Sequence, residues 1–241
     1  MPRFFVSPTD SDIITISDDD ANHIVSSLRM KQGEKLILCD GEGTDYHCKI
    51  SSFESKNKVE LTVCEKVKTQ TELNIKITLF QALPKLNKME NIIQKSVELG
   101  VNTIVPFIPH RCVAKPDVKS SSGKHARYNK IAREAAMQSE RGIVPNVEEI
   151  CKYTDILQRF NDFNNVIFCY ENDGIPLQKL INKNDMSIAV VIGNEGGFEE
   201  SEVEQAKNAG AKVASLGRRI LRCETASIFT ISSILVLTDS I

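Results

Sequence analysis

Short apolar runs separated by turn residues fill the first 70 residues of the chain. The runs lie at residues 13–16, 35–39, 46–50 and 59–63. The sequence Asp-Gly-Glu-Gly at 40–43 is typical of a turn between two strands. One interruption, at 18–30, predicts a short helix with Ser17 as its cap and three acidic residues in its first turn. The pattern predicts a small β-rich unit over residues 1–70, with a polar linker at 65–74.

From about residue 75, predicted strands alternate with predicted helices. The predicted strands lie at 75–83, 103–107, 166–170, 188–192 and 212–216, and the predicted helices at 86–99, 124–139, 198–209 and 225–237. Gly100 follows the first helix as a glycine at a helix C-terminus commonly does. Continuously apolar strands such as 166–170 and 188–192 are typical of buried parallel strands. This order predicts an α/β domain with helices on both faces of a mostly parallel sheet.

Composition excludes several classes of protein. The 241 residues are 41% apolar and 26% charged, which is ordinary for a globular protein. No apolar run approaches the roughly 20 residues that span a bilayer, and the start lacks the features of a signal peptide, so we expect a cytoplasmic protein without membrane association. The seven cysteines are widely spaced without a Cys-x-x-Cys pair, and the four histidines are scattered, so we expect neither a disulfide framework nor a metal site.

Charge is unevenly distributed along a chain whose net charge is only −2. Residues 1–70 hold nine Lys and Arg against twelve Asp and Glu, which is a net charge of −3. Residues 81–141 hold eleven against five, which is a net charge of +6. A basic segment in an acidic protein indicates one positive face, although a solvated lysine-rich loop would give the same numbers.

The first candidate loop, Gly-Asn-Glu-Gly-Gly-Phe at 193–198, follows a predicted strand. Its glycines allow either a tight turn or a close approach of the backbone to a ligand. Glu195 and the acidic residues at 199–204 would repel a polyphosphate, and the chain has no phosphate-binding motif. A nucleoside-like ligand that carries positive charge, such as S-adenosylmethionine, fits this loop better.

The second candidate loop, at 216–226, leads from a predicted strand into the last helix, which Thr225 or Glu224 could cap. Arg218, Arg219 and Arg222 suit contacts to phosphates or bases, and the alternative is a set of ordinary surface arginines.

Together the two loops resemble the paired signature of the SPOUT methyltransferases, and more narrowly of the bacterial enzymes that methylate N3 of one uridine in 16S ribosomal RNA. The resemblance covers essentially the whole chain in one order. It is also carried by Asn22-His23, 28–33, Lys88-Met89-Glu90, 94–101, Pro106 with Arg111, 135–139, Arg141 and Pro145. Three positions depart from the family pattern: Asn194 replaces a proline, Met137 a glutamate and Cys223 a common threonine. We expect the first loop to keep its shape with less rigidity, because Asn tolerates turn conformations.

The resemblance implies a PUA-like β-barrel that binds RNA at 1–70 and a SPOUT methyltransferase domain with a C-terminal trefoil knot at 71–241. It implies a homodimer with its active site near the subunit interface, S-adenosylmethionine as cofactor and 16S rRNA of the small ribosomal subunit as substrate. The implied cofactor-binding residues are Ile192, Gly193, Glu195, Gly196, Gly197, Leu216, Gly217, Ile220, Leu221, Thr225 and Ala226. The implied RNA-binding residues are Arg29, Lys95, Arg111, Gln138, Arg141, Arg218 and Arg219.

Methylation of uridine N3 requires the loss of an imide proton or stabilisation of the resulting anion. Arg222 is our first candidate for stabilising that anion, with Arg111 or Arg141 as others. Glu224 could be the base, but arginines beside it would lower its pKa, which favours an orienting role. Three alternatives remain: a SPOUT enzyme acting on tRNA or a ribose hydroxyl, a non-catalytic RNA-binding protein, and a nucleotide-binding enzyme.

Overall fold

The computed structural model describes residues 1–110 and 118–240 and, of residues 118–122, the backbone alone. The chain forms two compact units. The smaller unit contains Met1–Glu72 and Ala136–Val144, and the larger unit contains the described residues of Leu73–Ala135 and Pro145–Ile241. The smaller unit thus includes a segment that lies in the second predicted domain.

A five-stranded sheet of order β1-β3-β4-β5-β2 forms the smaller unit. Its strands are β1 Arg3–Phe5, β2 Ile13–Ser17, β3 Lys35–Cys39, β4 Thr44–Ser55 and β5 Lys58–Lys68. All neighbours pair antiparallel except β1 and β3. β5 runs into the predicted linker, because its last residue, Lys68, still pairs with Thr44 of β4. Backbone pairing continues there without an apolar pattern.

The predicted helix at 18–30 is divided and shorter than expected. It consists of α1 (Asp18–Asn22) followed by a π-helical turn over His23–Ser27. Ser17 does not act as the expected side-chain cap: its hydroxyl donates instead to Asp18 Oδ2 at 2.8 Å. The helical segment ends before Arg29, whose φ of +53° is incompatible with a right-handed helix.

Two ion pairs, one buried and one partly buried, stabilise the smaller unit and attach residues 141–143 to it. The Arg3 guanidinium donates two hydrogen bonds of 2.7 Å to Asp45, whose Oδ1 also accepts a bond from the Thr69 hydroxyl. Arg141 Nη2 donates to Glu72 at 2.7 Å, and Glu72 also accepts from the backbone amides of 142 and 143. These bonds explain why residues 136–144 belong with the first 72 residues.

The larger unit contains eight strands and five α-helices among its described residues. The strands are β6 Lys76–Ala82, β7 Thr103–Ile108, β8 Asn146–Val147, β9 Cys151–Lys152, β10 Asn165–Cys169, β11 Ile175–Pro176, β12 Ser187–Ile192 and β13 Lys212–Ser215. The helices are α2 Lys88–Glu98, α3 Val118–Gln138, α4 Tyr153–Leu157, α5 Glu200–Asn208 and α6 Cys223–Leu237, with single 3₁₀ turns at Phe160–Asp162 and Leu177–Lys179. The last residues of α3 group with the smaller unit.

The strands of the larger unit form one parallel sheet of order β11-β13-β10-β12-β6-β7-β8, with β9 paired to β7. This confirms the predicted α/β architecture. The central strands β10 and β12 are almost wholly buried, as their continuous apolar sequences predicted. The short strands β8, β9 and β11 were not predicted, because two residues are too few to form a hydrophobic pattern. Among the described residues, no helix is long and apolar enough to cross a membrane.

The Arg3–Asp45 pair gives a stability prediction for the smaller unit. Both side chains are less than one-tenth exposed. Asp45→Asn leaves the Arg3 charge buried without its partner, which costs about 3–5 kcal/mol. Native-state hydrogen exchange of the β3 and β4 amides measures the loss of stability in this unit.

The matched control is Glu54→Gln, which removes an exposed pair with Lys58 in the same unit and costs at most about 1 kcal/mol. Equal effects of the two substitutions would contradict the assigned role of the Arg3–Asp45 pair.

Candidate active site

Four loops meet at one edge of the large sheet. They follow β6, β10, β12 and β13, which are consecutive neighbours in the order β13-β10-β12-β6. Because these strands are parallel, their carboxyl ends lie side by side, and ligands of open α/β sheets bind at such an edge. The two candidate loops found in the sequence are those that follow β12 and β13.

The loop after β12 is held in shape by Asn194. Its side-chain carbonyl accepts from the Gly196 amide at 2.9 Å, and its side-chain nitrogen donates to the Leu83 carbonyl at 3.3 Å. Its backbone carbonyl accepts from Gly197, whose φ of +62° suits glycine. A side chain at 197 would also clash with the Glu171 carboxylate, because Oε1 lies too close to the position of a Cβ there. Asn194 therefore supplies hydrogen bonds where the family's proline would supply a fixed dihedral angle.

The loop after β13 is more open. Arg218, Arg219 and Arg222 are exposed, and Ile220 is 84% exposed. In the described part of the chain, no hydrogen bond uses the backbone amides of Ile220 and Leu221. These donors are available to a ligand.

Helix α6 begins two residues earlier than predicted. Arg222 is its N-cap residue, with extended backbone angles and no side-chain cap, and its carbonyl accepts from the Ala226 amide at 2.8 Å. Glu224 and Thr225 therefore lie inside the first turn, and neither is the cap that the sequence indicated. As a result the Glu224 side chain is free to bond elsewhere.

A cavity lies between the loops that follow β10, β12 and β13. It is lined by Cys169, Tyr170, Glu171, Ile192, Gly193, Asn194, Gly197, Leu216, Gly217, Arg218, Arg219, Ile220, Leu221, Cys223 and Ala226. Eight of the eleven expected cofactor residues are among these. The other three, Glu195, Gly196 and Thr225, lie outside the lining.

Lys88, the first residue of α2, joins the two loops through charge. Its Nζ lies 2.8 Å from Glu195 Oε1 of the loop after β12 and 3.4 Å from Glu224 Oε2 of α6. The Cys223 thiol donates to the same Glu224 oxygen at 3.2 Å. Lys85 adds a backbone hydrogen bond of 3.2 Å to Glu195.

This cluster sets the protonation of its members. Burial alone would raise the pKa of Glu224, but hydrogen bonds from its own amide and Cys223, with the charge of Lys88, hold that pKa below its ordinary value. The pKa of Glu195 is likewise lowered: partial burial is the largest single effect and raises it, but hydrogen bonds from Lys88, from the Glu195 amide and from the Lys85 amide, with the charge of Lys88, together outweigh burial. Burial and the bond to Glu224 raise the pKa of Cys223 to about 12, so its thiol is neutral. The pKa of Glu224 thus moves in the expected direction, through Lys88 and Cys223 rather than through the arginines.

The expected RNA-binding residues lie in different environments. Arg218 and Arg219 lie at the cavity, whereas Arg29 and Gln138 are exposed in the smaller unit. Lys95 is half-buried on α2 and bonded to Glu98.

Arg141, which was considered for RNA binding or catalysis, does not lie at the surface. Arg141 is buried in its pair with Glu72, so its guanidinium has a structural partner instead of an open approach for RNA. Arg111 lies outside the described residues. Met137, the departure from the family's glutamate, packs against the apolar core of the smaller unit.

Sequence reasoning assigned no site role to Gln81, to the residues after β10 or to Lys88, although Lys88 is among the residues that carry the family resemblance. Gln81 is fully buried on β6 and donates to the Gly193 carbonyl at 3.3 Å, while its Oε1 has no partner among the described residues. Tyr170 and Glu171 line the cavity because β10 neighbours both β12 and β13. The position of Lys88 at the start of the helix that follows β6 was a usable signal, but strand order was needed to interpret it.

Comparison with known proteins identifies relatives of the whole chain. Residues 71–235 match the family described as the RNA methyltransferase domain, and residues 16–64 match the RNA methyltransferase PUA domain. The ribosomal RNA small subunit methyltransferase E of Bacillus subtilis is 36% identical to this chain, over 99% of this chain and 98% of that protein. The protein of the same name from Mesomycoplasma hyopneumoniae is 31% identical, over 96% and 98%.

A solved structure agrees with these relatives. The ribosomal RNA small subunit methyltransferase E of Neisseria gonorrhoeae, bound to S-adenosyl methionine, superposes with a TM-score of 0.89 at 32% identity, and the match covers 98% of each chain.

Gly174 gives a prediction for the shape of this site. A Cβ at 174 lies 2.6 Å from the Ala214 carbonyl carbon and the Ser215 nitrogen, at the end of β13, and its φ is +152°. Because both contacts are backbone atoms, Gly174→Ala must displace the start of the loop after β13. We expect it to lower the free energy of unfolding by about 3 kcal/mol in denaturant titrations, from overpacking together with backbone strain.

Gly210→Ala is the matched control, since Gly210 also has a positive φ, +97°, but open space around its Cβ position. It should cost about 1 kcal/mol from backbone strain alone. If the two substitutions cost the same, the close approach at Gly174 has no energetic weight.

Proposed function

The chain belongs to the ribosomal RNA small subunit methyltransferase E family of RNA methyltransferases, and we propose that it transfers a methyl group from S-adenosylmethionine to N3 of one uridine in 16S rRNA of the small ribosomal subunit. The observation that carries the proposal is the meeting of the two signature loops in one cavity beside a cluster of carboxylates. A ribosomal substrate is consistent with the cytoplasmic location expected from the sequence. The proposal involves no metal ion.

RNA binding and methyl transfer are assigned to different domains. Residues 1–70, which include the matched PUA segment, bind the RNA, and residues 71–241 form the methyltransferase domain with a C-terminal trefoil knot. The knot is carried over from the family resemblance.

The residues around the cavity fit S-adenosylmethionine. Ile192, Leu221 and Ala226 give apolar contact for an adenosine group, and the amides of Ile220 and Leu221 are available as donors. Glu171 in the lining and the nearby cluster supply negative charge, which suits a cation and not a polyphosphate. When bound, the cofactor supplies an electrophilic methyl group on a positively charged sulfur.

The chain's own residues have to make the methyl acceptor, N3 of the uridine, reactive. The imide proton must pass from N3 to solvent water before the N3–carbon bond can form and the bond between sulfur and the methyl carbon can break. The charge of the anion left at the base spreads over N3 and the two carbonyl oxygens. Arg222, exposed at the start of α6, is proposed to donate to these oxygens and stabilise that charge. Glu224 has a lowered pKa and is therefore a weak base, so we assign it an orienting role. Arg111 stays a proposed second cation.

The target base must leave its stack before it can react, because N3 lies on the Watson–Crick edge. Arg218 and Arg219 at the cavity mouth are proposed to contact the backbone of the flipped nucleotide, with Arg29, Lys95 and Gln138 as further RNA contacts. We leave Arg141 out of this set because it is buried against Glu72.

Methyl transfer to purified small subunits tests the proposal. With subunits from cells that lack this enzyme and labelled S-adenosylmethionine, we expect mass spectrometry to find 3-methyluridine at one position. Arg222→Ala should slow transfer by about a hundredfold or more, the usual cost of losing one donor to a developing anion.

Lys183→Ala is the control, because Lys183 is an exposed lysine paired with Asp239 away from the cavity. Transfer to tRNA or to a ribose hydroxyl would keep the methyltransferase and refute the uridine assignment. A wild-type protein that binds no cofactor and methylates no RNA would instead be a non-catalytic RNA-binding protein.

We also propose that the chain is a homodimer that uses the exposed face of α6. Phe229 and Val236 are 44% and 59% exposed, and they line an apolar groove with Pro176 and Leu216. A patch of this kind on a helix surface is typical of an interface. Its position beside the loop after β13 suits an active site near the subunit boundary.

Sedimentation measurements test this interface. Phe229→Asp should convert the dimer to a monomer at micromolar concentration, because a carboxylate would be buried against apolar side chains. Met186→Asp, at an exposed apolar residue outside the groove, should leave the dimer intact. A wild-type monomer, or a dimer that survives Phe229→Asp, would refute the proposed interface.

A further inference from the structure

The ammonium group of Lys88 contacts two carboxylates that belong to different segments of the chain. Lys88 Nζ is 2.8 Å from Glu195 and 3.4 Å from Glu224, and the three side chains are each about one-quarter exposed. Glu195 belongs to the loop after β12, and Glu224 to the first turn of α6, which the loop after β13 enters. The contact therefore connects segments that are about 30 residues apart in the chain and that line the same cavity.

The segment that carries Lys88 is itself held in place by other contacts. Lys88 begins α2, six residues after the end of β6, and α2 packs against α6. The Lys85 amide also donates to Glu195, at Oε2, so both oxygens of that carboxylate are held by the segment between β6 and α2. That segment thus provides a fixed anchor for the loop after β12, and Lys88 extends the anchor to α6.

The titratable groups around Lys88 are Glu195, Glu224 and Cys223. The hydrogen bond and charge of Glu195 raise the pKa of Lys88, and the Cys223 thiol is neutral, so the cluster holds one positive and two negative charges. Glu195 and Glu224 both contact the Lys88 ammonium. If that positive charge were removed, the two negatively charged carboxylates would face each other and repel. Their repulsion would push the two loops apart.

We propose that Lys88 is a positioning residue of the methyl-transfer site. Its ammonium holds Glu195 and Glu224 together, and this contact fixes the relative position of the two cofactor loops before any ligand binds. Lys88 is absent from the cavity lining and acts through the loops. Cofactor binding to these loops rests on the function proposed above, but the ordering of the loops does not.

Hydrogen exchange of the ligand-free protein tests the ordering directly. We expect Lys88→Met to speed exchange of the amides in 193–199 and 216–222 by about tenfold, and Lys88→Arg to retain protection. The control is Lys207→Met, because Lys207 pairs with Glu204 within α5 and connects no loops. Lys88→Met combined with Glu195→Gln should recover protection of 216–222, since it removes the repulsion.

Affinity for S-adenosylhomocysteine gives the second measurement. Its neutral sulfur removes the attraction between the carboxylates and a sulfonium, so its affinity reports the loop geometry. At pH 8, Lys88→Met should bind about tenfold more weakly than wild type. As the pH falls towards 5.5, the variant should approach wild type, because the unbalanced pair has a raised pKa and takes up a proton that relieves the repulsion.

The outcomes separate the two proposals. Unchanged exchange in Lys88→Met would overturn the inference whatever the ligand. Lost protection or binding that neither low pH nor Glu195→Gln restores would also overturn it, because Lys88 would then only support the start of α2. Wild-type protein that binds neither S-adenosylmethionine nor S-adenosylhomocysteine refutes the proposed function, and the exchange data still decide the role of Lys88 in loop ordering.

Discussion

The parallel pairing of β13, β10, β12 and β6 is the constraint on which the rest of the larger unit depends. Parallel neighbours need crossover connections, and every such connection leaves its strand at the same edge of the sheet. Four loops that are far apart in sequence are therefore brought to one line. The cavity, its backbone donors and its charged groups all result from this arrangement, because the loops that supply them follow neighbouring strands.

The charged residues at this edge of the sheet form two groups of opposite sign. The carboxylates of Glu195 and Glu224 lie together with Lys88, beside the cavity, whereas Arg218 and Arg219 line it and Arg222 is exposed beside it. A cationic small ligand and a polyanionic macromolecule can therefore approach the same site without competing for the same charges. The Lys88 ammonium keeps the carboxylates close without neutralising both of them, so the cluster keeps a net negative charge beside the cavity.

The smaller unit depends on a different device. Its sheet is stabilised by ordinary apolar burial, but the return of residues 136–144 depends on hydrogen-bonded ion pairs. Arg141 shows the consequence. A basic residue in a basic segment was expected to face RNA, yet its guanidinium is buried against Glu72. Charge counts along a sequence cannot distinguish an arginine that meets solvent from one that has an internal partner.

The sequence by itself determined the alternation of strands and helices, the parallel sheet and the two loops that form most of the cavity, because hydrophobic period, glycine content and motif spacing are local properties. It also carried the family resemblance. The tertiary structure decided what depends on partners distant in the chain: the early start of α6, the segment joined to the smaller unit, and the roles of Gln81 and Lys88. Lys88 meets Glu195 and Glu224 only because β6 lies beside β12 and α2 packs on α6, and strand order and helix packing are not written in any local pattern.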